Sequence, residues 1–227
     1  MDEASAPPNL VAPDTSVDSF NLVLHKLMQK ANLEYVSFSA QHVISPEFFW
    51  PYNDAEKLPT DSRFWSHLKT IRIIPSTVTP NGNWYFTADP SIATHDEFTG
   101  AGVQEAASKS QDSKETINTF RSIPNPETMN PLLIAMAKVI RHAPSLEEIS
   151  LQWGSIRLKP KFLQKEKEVK REFNIFYYAK GINPGHQVPG SSDTARLIFQ
   201  ARNWRPDQDV ENHLRDALGP DGVVIYQ

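Results

Sequence analysis

Apolar residues between positions 20 and 31 recur at helical spacing: Phe20, Val23, Leu24, Leu27, Met28 and Ala31 follow one another by three and four residues or one. That predicts a helix with one apolar face, capped by Asp18 or Ser19. The pattern then changes to alternation, and "LEYVSF" at 33–38 reads as a short strand. A second helical stripe runs through Leu133, Met136, Ala137 and Ile140, widened by Leu132 and Val139. Asn130 followed by Pro131 predicts its start, because a proline at the first helical position gives up an N–H that has no partner there. Pro144 predicts its end, and "LEEISL" at 146–151 the next strand.

These strands share a phrase. Leu33-x-x-Val36-x-Phe38, Leu68-x-x-Ile71-x-Ile73 and Leu146-x-x-Ile149-x-Leu151 begin 35 and 78 residues apart. Each reads as the strand of a helix–strand unit that cannot bury its apolar side alone. Units of this kind, joined by right-handed crossovers, stack into a parallel sheet lined by helices on one side. The uneven spacing implies either one degenerate unit or an insertion over about 87–128, and the polar, weakly periodic character of that stretch favours the insertion. Just before it, "TPNGNWYF" at 79–86 predicts a turn at Asn81-Gly82 between two short extended arms.

Residues 172–179 and 195–202 are strand candidates joined without a helix, so the sheet is expected to become mixed there. A fourth helix–strand unit closes the chain. Pro206 marks its helix start, Val210, Leu214, Ala217 and Leu218 its apolar face, Gly219-Pro220 its stop, and "VVIY" at 223–226 its strand. The fold expected is α/β: leucine-rich-repeat-like stacked helix–strand units with a mainly parallel sheet, mixed at the C-terminal end. It occupies 17–227 as one domain behind a disordered, proline-bearing tail over 1–16.

Composition narrows the function. The chain of 227 residues carries a net charge of −4, which gives no global positive field for nucleic acid or an anionic membrane. It contains no cysteine, which removes disulfides, thiolate metal sites and cysteine nucleophiles. No apolar run approaches the ~20 residues of a membrane span, and the N-terminal residues lack the apolar stretch of a secretory signal. An intracellular protein, cytoplasmic or nuclear, is expected.

No phosphate-cradling glycine loop, nucleophile elbow or zinc-binding His-Glu-x-x-His occurs. The residues therefore point to no cofactor, no metal and no catalytic set. His95-Asp96-Glu97 is the one dense group of metal-capable side chains, and adjacent loop residues do not readily face one ion. His25 and His213 fall off the apolar stripes of their helices and are expected at the surface. Partner-binding candidates are of two kinds. Trp84 and Tyr85, beside the predicted turn, are the aromatics expected to be most exposed. Residues 157–171 hold seven basic and two acidic side chains, and Lys159, Lys161, Lys165, Lys167, Lys170 and Arg171 form a docking patch or a merely solvated connection.

Four stretches, "VISPEFFWP" (43–51), "VTPNGNWYF" (78–86), "NPLLIAMAKVIRHAPSLEEISL" (130–151) and "NWRPDQDVENHLRDALG" (203–219), together resemble the C-terminal, leucine-rich-repeat-like region of filamentous-fungal F-box proteins. The resemblance spans about 18–227. It implies a non-enzymatic domain that recruits a protein partner or substrate to a ubiquitin ligase, with no catalytic residues. The alternative is an enzyme with an unrecognised site, such as a metal-independent hydrolase. Nothing ahead of residue 18 has the character of an F-box, so a stand-alone or truncated repeat domain is expected. Skp–cullin machinery is a doubtful partner for it, and the protein it would recruit is not named by the residues.

Overall fold

In the computed structural model, residues 9–11, 18–52, 64–88, 121–158, 169–184, 189–201 and 204–227 are described. Along the chain they form α1 (Ser19–Lys30), β1 (Tyr35–His42), α2 (Pro46–Phe49), β2 (Thr70–Pro75), β3 (Phe86–Ala88), β4 (Arg121–Pro124), α3 (Pro126–His142), β5 (Glu148–Leu158), β6 (Val169–Tyr178), β7 (Arg196–Gln200), α4 (Gln208–Leu218) and β8 (Val223–Tyr226). Six strands make the main sheet in the order β1-β2-β5-β6-β7-β8. The pairs β1–β2, β2–β5 and β7–β8 are parallel, whereas β5–β6 and β6–β7 are antiparallel. The sheet is thus mainly parallel and mixed toward its C-terminal end, as expected from the sequence between 179 and 195, which carries no helical stripe. A separate antiparallel pair, β3–β4, frames residues 89–120, and most of the expected insertion lies outside the described residues.

The shared phrase sets the register. Val36 stands opposite Ile71, which stands opposite Ile149; Phe38, Ile73 and Leu151 form the next row. The same backbone bond recurs at this end of the sheet, at the entry to β2 and β5 and at the exit of the antiparallel β6. Lys69 N–H donates to the Glu34 carbonyl, Glu147 N–H to that of Lys69, and Ala179 N–H to that of Glu147, each at 2.8 Å. Because side chains alternate along a strand, the phrase residues all reach one face. There they share one core with α3, whose Leu132, Leu133, Met136 and Val139 are fully buried, and with Val210 and Leu214 of α4.

Helix α3 begins earlier than expected. The Asn-Pro signature occurs twice, and Asn125-Pro126 is the true start: the Asn125 side chain accepts from Glu127 N–H at 3.2 Å. Pro131 lies inside the helix, where it forgoes the hydrogen bond to the Glu127 carbonyl. Helix α1 is capped by Asp18, which accepts from the N–H groups of Phe20 and Asn21. Its buried arc keeps only part of the expected stripe, Met28 and the half-buried Leu24. Asn21, His25 and Met28 face inward, while Phe20, Val23 and Leu27 are 58%, 61% and 54% exposed. The polar pair is drawn in by partners remote in sequence: Asn21 Nδ2 donates to the Val43 carbonyl at 3.0 Å, and His25 Nδ1 lies 3.1 Å from that of Phe48. His25 is therefore fully buried, against the expectation of a surface position, whereas His213 is exposed.

Of the expected tail, residues 9–11 are described, and Leu10 N–H donates to the Pro80 carbonyl at 2.7 Å. Among the described residues no helix is long and apolar enough to cross a membrane.

Candidate functional site

With the phrase residues turned to the helices, the alternate residues of each strand form an outer face. Two rows cross it in register. One is Tyr35, Thr70, Glu148, Tyr178, Arg196 and Val223; the next is Ser37, Arg72, Ser150, Phe176, Ile198 and Ile225. Beyond them Gln152, Asn174 and Gln200 stand side by side.

The β7–β8 half of this face is closed. Arg196, 2% exposed, donates from Nη1 to the Gly190 carbonyl at 3.0 Å and from Nη2 to the Ile182 carbonyl at 2.6 Å. Its guanidinium also lies 5.7 Å from the centre of the Tyr178 ring. Gly190 approaches so closely that a Cβ would sit 2.9 Å from Arg196 Cδ, and its φ of +86° suits only glycine. Ile198 is buried as well, with Val223 and Ile225 half-buried beside it.

The half built on β1, β2, β5 and β6 is open. Tyr35, Ser37, Arg72, Ile74 and Gln152 are exposed, with Phe176 and Asn174 half-buried behind them. Arg72 is held by a bidentate pair, Nε and Nη2 each 2.9 Å from a Glu148 carboxylate oxygen, and lies 5.8 Å from the Tyr35 ring centre. The same hydrogen-bonded carboxylate raises the arginine's pKa further above its ordinary value. Phe176 and Tyr178 lie parallel, centroids 6.3 Å apart, and burial pushes the Tyr178 hydroxyl up in pKa. Asn174 Nδ2 donates to Gln200 Oε1 at 3.0 Å, and Gln152 Nε2 to Ser150 Oγ at 2.7 Å. The surface thus presents flat rings, a fixed guanidinium and side-chain amides, the side-chain chemistry of macromolecular contact.

The expected candidates sit elsewhere. Tyr85 is fully buried, its hydroxyl donating to the Ile44 carbonyl at 2.8 Å, so its expected exposure is corrected. A tyrosine packed under a turn still loses its water when its hydroxyl finds an internal acceptor; that burial raises its pKa. Trp84 is half-buried on the same turn, its carbonyl accepting from Thr128 Oγ1 at 2.9 Å. Lys159, Lys161, Lys165 and Lys167 lie outside the described residues, as does the cluster His95-Asp96-Glu97. Lys170 and Arg171 are on β6, opposite Arg157 and Ile156, so strands flank the basic segment; their side chains are outside the described ones. Tyr35, Arg72, Glu148 and Phe176 were missed, although the positions between the phrase's apolar residues mark Arg72 as outward-facing.

A second feature is a polar cleft of about 410 Å³ whose walls include Asp18, Ser45, Glu47, Thr79, Asn81 and Glu127. Asp18 is already engaged there: besides capping α1 it accepts from Asn21 Nδ2 and, at 3.1 Å, from Ser45 Oγ. Among the described residues no group of histidine and acidic side chains is arranged to hold a metal ion. No protein-family model, no curated protein and no solved structure matches the chain.

Proposed function

We propose that the chain is a non-enzymatic protein-interaction domain whose contact surface is the open outer face of β1, β2, β5 and β6. The observation that carries this reading is the Tyr35–Arg72–Glu148 arrangement on that face. A ring and a guanidinium held in place before contact lose little side-chain freedom when a partner covers them. In the same reading the helix–strand units are leucine-rich-repeat-like. The row-by-row register of Leu-x-x-(Ile/Val)-x-apolar supports this. The kind of work is that of the substrate-recruiting region of an F-box ubiquitin-ligase adaptor.

The test is affinity capture from a filamentous-fungal extract, run in parallel with wild type and a Tyr35→Ala/Arg72→Glu/Gln152→Arg variant, with quantitative mass spectrometry of the retained proteins. A protein held by wild type and lost from the variant supports the reading. Identical sets from both would refute the assignment of this face. Skp adaptor and cullin among the retained proteins would support the ligase connection, and their absence would leave a free-standing binding module.

The competing reading, a metal-independent hydrolase, has the polar cleft in its favour. Asp18, whose carboxylate serves as a helix cap and anchors Asn21 and Ser45, is spoken for structurally, which weighs against a catalytic role there.

A further inference from the structure

Among the described residues, the sheet layer ends at β1 and the helix layer at α1. Strand β1 is the edge of the six-stranded sheet, and its Leu33 is 36% exposed where the equivalent Leu68 and Leu146 are 1% and 4% exposed. In the inner units a neighbouring unit supplies the cover that Leu33 lacks. Helix α1 repeats the contrast. With successive side chains about 100° apart, His25 and Gln29 mark the side turned to α2 and the residues after it: His25 Nδ1 meets the Phe48 carbonyl, and Tyr52 Oη donates to Gln29 Oε1 at 3.2 Å. Phe20, Val23 and Leu27 lie on the opposite arc, away from α2 and more than half exposed. Three large apolar side chains in one stripe are more than scattered surface residues.

Charge narrows the occupant. From Ser19 to Lys30 the helix holds Lys26 and Lys30 and no acidic residue, and both lysines are exposed beside the stripe. A second copy docked through the same helix face would bring two more lysines and no carboxylate of that helix to meet them. A lipid surface would press the outward N–H and C=O groups of the β1 edge, which have no strand partner among the described residues, toward hydrocarbon, where they find neither water nor a partner.

We propose that the exposed face of α1, at the β1 edge, is a docking site for an acidic amphipathic helix of a partner protein. Its apolar residues, three and four apart, cover Phe20, Val23 and Leu27, and its flanking carboxylates meet Lys26 and Lys30. This surface is distinct from the outer sheet face, so substitutions there leave it intact.

The test uses the full chain and a fluorescent amphipathic peptide of about four helical turns, with leucines at three- and four-residue spacing flanked by glutamates. A second peptide carries lysines in place of the glutamates. The expected result is saturable binding of the acidic peptide, weakened by about tenfold or more in Val23→Asp/Leu27→Asp. Lys26→Glu/Lys30→Glu is expected to switch the preference to the basic peptide, while Arg72→Glu changes neither. Thermal melting checks that each variant folds, which the exposure of all four positions allows. Equal binding of both peptides, no saturable binding, or binding indifferent to Val23→Asp/Leu27→Asp would overturn the proposal. So would self-association, or binding to anionic vesicles, that the same double substitution abolishes while the acidic peptide goes unbound.

Discussion

Acidification from pH 7 to pH 5 is expected to destabilise the fold through His25. This side chain is fully buried, with the rings of Tyr52, Phe64 and Trp65 centred 5.8, 5.5 and 5.3 Å away. Burial is the main cause holding its pKa down to about 4; the Phe48 carbonyl opposes it, and neighbouring Lys26 reinforces it. In the unfolded chain the imidazole titrates near 6.5. Well above that pH neither state binds the proton, and the contribution is nil. As the pH falls from 6.5 toward 4 the unfolded chain takes up a proton that the native state refuses, so stability drops. The loss from this one group is about 2 kcal/mol at pH 5 and levels off at about 3 kcal/mol below pH 4. Urea titrations followed by tryptophan fluorescence at pH 7, 6 and 5 measure it. His25→Gln keeps an amide donor for the Phe48 carbonyl and removes the titration. The variant is expected to be less stable than wild type at pH 7, with the gap narrowing by about 2 kcal/mol at pH 5. His142, whose pKa is also lowered by burial, is present in both proteins and cancels. Parallel stability curves for the two proteins would refute the reasoning.

Four further substitutions test the packing. Arg196→Met leaves the carbonyls of Ile182 and Gly190 without their donors, at a cost of about 3 kcal/mol in urea titration, and is expected to speed tryptic cleavage after Lys180. Tyr85→Phe strands the Ile44 carbonyl and is expected to cost about 1–2 kcal/mol by calorimetry, whereas a value near zero would mean that water replaces the hydroxyl. Ile149→Ala, in the fully buried central row, is expected to cost about 2–5 kcal/mol. Leu27→Ala, on the exposed arc of α1, is expected to stay within about 0.5 kcal/mol. Equal costs for these two would contradict the orientation of α1.

How much of this was legible depended on whether the deciding contacts were local or periodic. Val36, Ile71 and Ile149 occupy the same place in a repeated phrase, and the sheet sets them side by side. The mixed C-terminal end followed from the absence of a helical stripe between residues 179 and 195. What escaped reading depends on partners far along the chain. Apolar spacing chose Phe20, Val23 and Leu27 for the interior of α1, but the carbonyls of Val43 and Phe48 draw Asn21 and His25 inward instead. Tyr85 is buried by an acceptor 41 residues away, and Arg72 is oriented by a carboxylate 76 residues away. The start of α3 was misplaced for a different reason. Two Asn-Pro pairs five residues apart carry the same capping chemistry, and only the accepting contact at Asn125 separates them.

Site-specific photo-crosslinking tests partner recognition by the outer sheet face most directly. A benzophenone amino acid is placed singly at Tyr35, at Gln152 and, as a control on the exposed side of α4, at His213, and each protein is irradiated in a filamentous-fungal extract. Adducts to a common protein from Tyr35 and Gln152, absent from His213, are the expected result. A common adduct from His213 alone, or the same adducts from all three positions, would contradict recognition by this face.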